Sequence, residues 1–310
     1  MPEPSKKSYR DYFISGGRHI GDYEGMYRDC EDPWRIEELG LRLDMSAALL
    51  LLEACPPVPS ALAGCLRVLD AGAGAGLFSL ALFRKLKELL PEPAKVELAL
   101  NDISPTALKK AAERFGKEGE AIPSLFPFDL RLLAEGFGPP VALEPLEAGP
   151  PGNSRAAGSE NPLGAGEGNR LAAGAKTRGI ARDSYRSAGL SRSPAPGPLS
   201  ARPAFPAGAD SEPSPFAPES FDLVVLAQSL WGVVQEIGGV IAAFRRLLVP
   251  DGLLLISQHF PGPANQAWGR EVTGPEGFAG ILTGNSFTLM RELETDRSRN
   301  HHWGALWRRN

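Results

Sequence analysis

Residues 68–78 read VLDAGAGAGLF, and this stretch decides how the rest of the chain is interpreted. A short apolar run ends at Asp70, three glycines follow at alternate positions, and a helical pattern begins at Leu77. Glycine lets the backbone turn sharply and approach a ligand without a Cβ atom in the way. The free N–H groups of the next helical turn face the same point. The stretch therefore predicts a ligand-binding strand–turn–helix unit, with an ordinary tight turn as the alternative.

Strand and helix patterns alternate on both sides of this unit. The predicted helices cover residues 46–54, 77–90, 105–115 and 237–248. The predicted strands cover residues 66–70, 96–100, 122–128, 221–226, 253–257, 287–292 and 303–307, the last two as an antiparallel pair. Apolar strands that alternate with helices form parallel sheets covered on both faces. We therefore predict a doubly wound α/β fold that binds its ligand at the carboxyl ends of the strands.

An excess of proline and glycine is concentrated between two of these strands. Residues 138–220 hold 14 of the 29 prolines and 12 of the 35 glycines, and residues 149–218 show neither helical nor strand periodicity. Such a composition buries too little apolar surface to offset the entropy of ordering, so we predict a disordered insertion. The chain then divides into a helical leader (1–45), one binding domain (46–137 and 221–310) and the insertion (138–220).

Charge, cysteine content and apolar runs limit the classes of protein to which the chain can belong. A net charge of -4 argues against a dedicated nucleic-acid binder, which usually has a basic face. The three cysteines follow no disulfide or metal spacing, and no secretory signal opens the sequence, so we expect a cytoplasmic protein. No apolar run is long enough to span a membrane. His301 and His302 lack the further ligands of a metal site, so no metal is predicted.

The glycine spacing indicates which ligand the turn binds. In a dinucleotide fingerprint, G-x-G-x-x-G, the third glycine would stand where this chain has Leu77. Asp70 would also repel an anionic pyrophosphate, whereas it suits a cationic ligand. The pattern D-x-G-x-G-x-G resembles motif I of the class I S-adenosylmethionine (SAM) methyltransferases. The resemblance implies SAM as cofactor, Asp70 near its methionine ammonium group, and a turn formed by three glycines, Gly72, Gly74 and Gly76.

Two further acids follow the next predicted strands. Asp102 ends the stretch LALND, where the family has an acid that binds both ribose hydroxyls, and a carboxylate can accept two hydrogen bonds from a cis-diol. A turn or N-cap residue before the helix at Pro105 is the alternative. Asp129 follows the third predicted strand, and the resemblance implies that it meets the adenine amino group.

The second half of the chain resembles later motifs of the same family. Residues 215–234 resemble its fourth-strand motif, and RRLLVPDGLLLIS (245–257) resembles its helix, turn and fifth strand. The turn departs mildly from the usual K/R-P-G-G, since it reads VPDG. The order of elements implies a Rossmann-like, mostly parallel seven-stranded sheet with an antiparallel last strand.

The resemblance also implies that residues after the fourth and fifth strands face the methyl acceptor. Gln228, Trp231 and His259 occupy these positions. His259 is the candidate general base because imidazole titrates near neutral pH. The alternatives are a locally bonded loop histidine at 259 and a tryptophan at 231 that packs under the next helix.

Aromatic residues are concentrated in the N-terminal segment. Tyr9, Tyr12, Tyr23, Tyr27 and Trp34 precede the predicted domain. Leaders of this kind in the family often close over cofactor and acceptor, and EDPW (31–34) resembles the leader of nodulation-type small-molecule N-methyltransferases. We therefore predict that Tyr27 and Trp34 contact the substrate, with a hydrophobic anchor for the leading helix as the alternative.

The combined motifs predict a SAM-dependent methyltransferase that transfers a methyl group to nitrogen or oxygen of a small molecule by in-line displacement. The signatures N-P-P-Y and Pro-Cys of nucleic-acid methyltransferases are absent from the sequence. Two alternatives stay open. One is a module that binds SAM without catalysis, and the other is an NAD-type oxidoreductase, which the glycine spacing disfavours.

Overall fold

The computed structural model describes residues 12, 14–15, 18–19, 21–34, 41, 43–59, 64–134, 215–261, 274–297 and 300–310. Most of the predicted insertion (138–214) and part of the predicted leader, with Tyr9, lie outside the described residues. Two short strands, β1 (Ile14–Ser15) and β2 (Arg18–His19), pair antiparallel near the start of the chain. All other described strands belong to one sheet.

Seven strands form this sheet, in the order β5-β4-β3-β6-β7-β9-β8. They are β3 (Cys65–Ala71), β4 (Lys95–Asp102), β5 (Ser124–Pro127), β6 (Phe221–Ala227), β7 (Leu248–Pro261), β8 (Phe287–Arg297) and β9 (Asn300–Arg309). Strand β9 lies between β7 and β8 and runs antiparallel to both, while the other neighbours are parallel. This arrangement confirms the predicted mostly parallel sheet with an antiparallel last strand.

Helices cover both faces of the sheet. They are α1 (Tyr23–Asp29), α2 (Leu43–Ala54), α3 (Leu77–Leu89), α4 (Pro105–Lys117), α5 (Leu230–Val233), α6 (Ile237–Leu247) and α7 (Pro275–Gly284), with a 3-10 turn at Leu130–Ala134. The buried side chains of α2, α3 and α4 form one apolar core with the sheet, and those of α5, α6, α7 and the 3-10 turn form the other. Two cores are what a doubly wound sheet requires.

The strand order creates a switch point between β3 and β6. The chain passes from β3 to β4 and β5 on one side and continues with β6 on the other side of β3. In open α/β sheets the ligand crevice lies at such a point, outside the carboxyl ends of the strands. The glycine turn follows β3 directly, so the fold places it in this crevice.

Several predicted boundaries differ from the structure. Helix α2 begins at Leu43, three residues before the predicted start, and α7 was not predicted. Strand β7 continues past Ser257 because β9 pairs with it along residues 253–261, so His259 lies within a strand rather than after it. The predicted turn at Asp251, with φ +61°, is a bulge inside β7 where the register against β6 shifts.

Phe216 is one of the first residues that the structure describes after position 214. Its side chain is buried, and its ring packs edge-on against Phe126, Phe128 and Phe221 at centroid distances of 4.7, 5.6 and 5.2 Å. The folded core therefore includes a residue that the predicted boundaries assign to the insertion. Within the described ranges, none of the helices has the length and apolar character needed to cross a bilayer.

Candidate cofactor and acceptor site

The glycine turn after β3 has the backbone that its sequence predicts. Gly72, Gly74 and Gly76 have φ angles of +78°, +55° and +75°, a region that other residues rarely adopt. The N–H groups of Gly72 and Ala73 donate to the carbonyl of Asn101 at 2.9 and 2.8 Å, which ties the turn to the end of β4. The turn passes directly into α3, with Gly76 as the N-cap.

Atoms of neighbouring elements lie in close contact with all three glycines. A Cβ atom at Gly74 would lie 2.6 Å from the hydroxyl of Tyr27 in α1, and one at Gly76 would lie 2.6 Å from the Cβ of Ala111 in α4. A Cβ atom at Gly72 would collide with the hydroxyl of Ser229, which follows β6. The turn is therefore enclosed by three elements and has no room for side chains.

Asp70 lies at the end of β3, beneath the turn, and is 1% exposed. One of its oxygens accepts a hydrogen bond from the Ser79 hydroxyl at 2.6 Å, and the other has no partner among the described residues. Burial, reinforced by the nearby Asp102 charge, raises the pKa of Asp70 to about 7 despite the bond from Ser79. A buried carboxylate without a countercharge fits a cationic group such as an ammonium.

Asp102 ends β4 on the other side of the turn. Its carboxylate accepts the N–H of Gly74 at 2.8 Å and that of Ser104 at 2.9 Å, so it also has the turn role named as an alternative. Burial raises its pKa to about 6, against these backbone bonds and with a contribution from Glu24. The structure thus brings together Asp70, the glycine turn and Asp102 at the carboxyl ends of β3 and β4.

Asp129 follows β5, and its carboxylate is already paired with the guanidinium group of Arg131. Its two oxygens accept from the Nε atom of Arg131 at 3.0 and 2.9 Å, and its Oδ1 also accepts the Arg131 backbone N–H at 2.9 Å. Asn101 in β4 donates to the carbonyls of Phe126 and Phe128 nearby. The adenine role of Asp129 stays a prediction, and such a role would share its carboxylate with Arg131.

Helix α1 lies across the glycine turn. Glu24 joins α1 to the start of α4, because its carboxylate accepts from the hydroxyls of Ser104 (2.6 Å) and Thr106 (2.5 Å). Burial opposes the charge of Glu24, but these bonds together lower its pKa. The hydroxyl of buried Tyr27, whose pKa burial raises, accepts the indole N–H of Trp34 at 3.0 Å. Tyr27 therefore lies beside the glycine turn, with Trp34 bonded to it, and their predicted contact with the substrate stays a prediction.

The ends of β6 and β7 carry a second polar cluster. Gln228, with φ +59°, donates its backbone N–H to the carbonyl of Ser257 at 2.8 Å and its side-chain amide to Asp44. Asp44, in the first turn of α2, is fully buried. It also accepts the Ser257 hydroxyl at 2.8 Å and contacts Nδ1 of His302 at 2.8 Å. The cluster thus holds a carboxylate among three polar partners.

The structure places His259 and Trp231 at the same edge. His259 pairs with His302 across β7 and β9, and their rings lie 4.9 Å apart at 37°. Trp231, in α5, packs edge-on against Phe260 with the centroids 6.1 Å apart. His259 is therefore a strand residue packed on a second histidine, and Trp231 packs on a residue of β7. The roles of His259 as base and of Trp231 in acceptor binding stay predictions.

Three residues of this cluster were missed from the sequence. Asp44 and Ser257 show no local motif, and the sequence identifies His302 only as one of two histidines that lack the further ligands of a metal site. Only the β7–β9 register and the earlier start of α2 bring them together. His301, on the opposite face of β9, contacts Glu294 at 2.6 Å instead. Over the described ranges, no three His, Cys, Asp or Glu side chains form a possible metal site.

Comparison with known proteins gives one family match. The family described as "Methyltransferase domain" matches residues 164–256, of which residues 215–256 are described and contain β6, α5, α6 and part of β7. No curated protein matches the chain.

The chain is also similar to solved structures of low sequence identity. The N-methyltransferase NodS from Bradyrhizobium japonicum WM9 is 16% identical, with 93% of this chain and 96% of that chain covered and a TM-score of 0.48. Magnesium protoporphyrin IX methyltransferase from Synechocystis PCC 6803 is 16% identical, with 97% and 95% covered and a TM-score of 0.48. The 1,6-didemethyltoxoflavin-N1-methyltransferase from Burkholderia thailandensis is 17% identical, with 93% and 86% covered and a TM-score of 0.47.

Proposed function

We propose that the chain is a class I methyltransferase with SAM as its cofactor, and that it methylates a nitrogen or oxygen atom of a small molecule; the match of residues 164–256 to the methyltransferase family supports this. The observation that carries this proposal is the pair of buried carboxylates, Asp70 and Asp102, on either side of the glycine turn. Carboxylates in this position favour a ligand with a positive charge and a diol over one with a pyrophosphate.

The residues present fit SAM. Asp70 has a buried oxygen that an ammonium group would satisfy, and Asp102 stands at the carboxyl end of β4 where a diol would meet it. SAM supplies a methyl group already activated by its sulfonium. The chain's own task is to hold the acceptor in line with that methyl and to exclude water, and α1 with Tyr27 lies where it would cover the bound cofactor.

The same geometry disfavours an NAD-type oxidoreductase. A dinucleotide site offers the N–H groups of the glycine turn to a pyrophosphate. Here the N–H of Gly74 donates to the carboxylate of Asp102, and those of Gly72 and Ala73 donate to a carbonyl. The anionic pyrophosphate of NAD would lie beside two acids, Asp70 and Asp102, so NAD is the weaker candidate.

Other parts of the chain bear on the acceptor and the compartment. Gln228 and His259 lie at the ends of β6 and β7, on the side of the crevice away from β4, and we assign the acceptor to this side. A net charge of -4 favours a small molecule over a nucleic acid as the acceptor. Cys30, Cys55 and Cys65 are free, which suits the reducing cytoplasm that we propose for this protein.

A turnover assay tests this proposal. The purified chain is incubated with SAM and separate panels of small amines, small alcohols and phenols, DNA and RNA, and the demethylated product S-adenosylhomocysteine (SAH) is measured. We expect SAH with at least one small amine or hydroxyl compound. Asp102→Asn should reduce this rate, whereas Asp251→Asn, whose side chain is 83% exposed, should not.

Two outcomes would contradict the proposal. Binding of SAM without SAH from any acceptor would favour the non-catalytic binding module. Turnover with DNA or RNA alone would refute the small-molecule acceptor.

A further inference from the structure

A buried carboxylate at the acceptor side of the crevice has a histidine as its partner. Asp44 is 0% exposed and lies on the face of β7 and β9 that α2 covers. Its Oδ2 accepts from Ser257 at 2.8 Å and from Gln228, while its Oδ1 lies 2.8 Å from Nδ1 of His302. The position of the Asp44 carboxylate is therefore fixed from β6, β7 and β9 at once.

This contact determines the tautomer of His302. An ionised carboxylate can accept hydrogen bonds but cannot donate them. Nδ1 of His302 therefore carries the proton that lies between the two groups. The neutral ring then has its lone pair on Nε2, where it can accept a second proton. The charge of Asp44 would stabilise the resulting imidazolium, as a carboxylate does for the histidine of a hydrolase triad.

The cluster is continuous with the glycine turn. Gln228, which donates to Asp44, is followed by Ser229, whose hydroxyl donates to the carbonyl of Gly72 at 2.9 Å. His302 faces His259 at the carboxyl end of β7, on the same edge of the sheet as the turn. Among the described residues, the titratable groups placed against His302 are Asp44 from α2 and His259 from β7.

We propose that His302 is the general base of the methyl transfer and that Asp44 positions and charges it. The inference rests on the proposed function. When the acceptor nitrogen or oxygen bonds to the methyl carbon, the carbon–sulfur electron pair stays with sulfur. The acceptor then loses one proton, which passes to Nε2 of His302 and afterwards to water. General bases of this kind accelerate reactions by about 10²–10⁴.

Kinetics of SAH formation, with the most active acceptor of the assay above, tests this assignment. We expect His302→Gln to lower kcat about 100-fold or more, with an unchanged Kd for SAM. His301→Gln is the matched control, since its ring lies on the opposite face of β9 beside Glu294, and it should change kcat less than about twofold. His259→Gln separates the two neighbouring imidazoles, and we expect a smaller loss of kcat than in His302→Gln.

The pH profile distinguishes a positioning role of Asp44 from a structural one. Because the Asp44 charge favours the imidazolium, its removal should make His302 a weaker base. Asp44→Asn keeps an acceptor for Nδ1, and we expect the acid limb of kcat to move to lower pH while the maximal rate falls. A merely structural role would reduce activity without moving that limb.

Imidazole nitrogen NMR of the isotopically labelled chain adds a readout that needs no acceptor. We expect wild-type His302 to carry its proton on Nδ1, between its ring and Asp44. A proton on Nε2, an unmoved acid limb in Asp44→Asn, or full kcat in His302→Gln would overturn this inference alone. Wild-type protein that binds SAM but forms no SAH would overturn the proposed function, and the general base with it.

Discussion

The two halves of the crevice are built in different ways. We call the part around Asp70, the glycine turn and Asp102 the cofactor half, and the part around Asp44 and His302 the acceptor half. In the cofactor half, the key contact joins Gly74 to Asp102, 28 residues apart, through a backbone N–H. In the acceptor half, Asp44 joins Gln228, Ser257 and His302 across 184, 213 and 258 residues, through side chains alone. The contact in the first half therefore lies within one strand–helix–strand unit, whereas the contacts in the second need the whole sheet to be assembled.

This difference predicts that ligand affinity and turnover are separable. The largest expected effect is on the cofactor half. Asp102→Ala and Asp70→Ala should each weaken SAM binding about 10- to 100-fold, because each removes charge-assisted contacts worth about 1.5–3 kcal/mol. Titration calorimetry measures both, with Asp251→Ala as the exposed control.

Substitutions in the acceptor half should leave the affinity for SAM unchanged. His302→Gln and Asp44→Asn are expected to bind SAM within about threefold of the wild type, although they lose turnover. The separation fails if these variants lose SAM affinity as strongly as Asp102→Ala, or if both aspartate variants of the cofactor half bind SAM normally.

A pH titration of SAM affinity tests the charge in the cofactor half. Asp70 has its pKa raised to about 7, so below pH 7 it becomes protonated and neutral. A cationic ligand prefers the ionised form, and its own α-amino group stays protonated in this range. We expect SAM to bind about tenfold more weakly at pH 5.5–6 than at pH 7.

Asp70→Asn is the control for that titration. It should bind weakly at every pH and keep only the smaller dependence that comes from Asp102, whose pKa is about 6. Equal pH dependence in Asp70→Asn and in the wild type would show that Asp70 does not carry the effect.

A pair of glycine variants tests how closely the cofactor half is packed. Gly74→Ala adds a Cβ at φ +55° and 2.6 Å from the Tyr27 hydroxyl, so it should lower the free energy of unfolding by about 1–2 kcal/mol. Gly116→Ala, within α4 and with no atom near its added Cβ, should be neutral or stabilising. Denaturant unfolding compares them, and equal stability of the two variants would refute the close contact.

The smallest expected effect lies in the acceptor half. Ser257→Ala removes one of the donors to buried Asp44 and should cost about 1 kcal/mol of unfolding free energy. Thr288→Val, whose hydroxyl contacts Asn310 at the exposed surface, should cost less. Chemical denaturation of both variants gives the values, and a neutral Ser257→Ala would mean that the cluster does not need this bond.

The same contrast explains what the sequence could predict. The turn at Gly72, Gly74 and Gly76 is a local property, since glycine at alternate positions after a strand permits the positive φ angles that the structure shows. Asp70 stands two residues before that turn, and Asp102 ends the next predicted strand, so each follows a strand whose pattern is local. The seven strands and their mostly parallel order also followed from local apolar patterns.

The features that could not be predicted from the sequence depend on pairing between residues far apart in the chain. The extension of β7 through His259 comes from its pairing with β9, about 40 residues later, and no local pattern encodes that register. Asp44 reaches its partners only because α2 packs on β9, where Gly304 lies against Ala48. A sequence without aligned relatives gives no signal for such contacts.

The most direct test of the central claim is titration calorimetry of the wild-type chain with SAM, SAH and NAD. The two buried acids and the glycine turn predict that SAM and SAH bind and that NAD does not. Binding of NAD alone would contradict the account, because the turn would then accept a pyrophosphate beside Asp70 and Asp102.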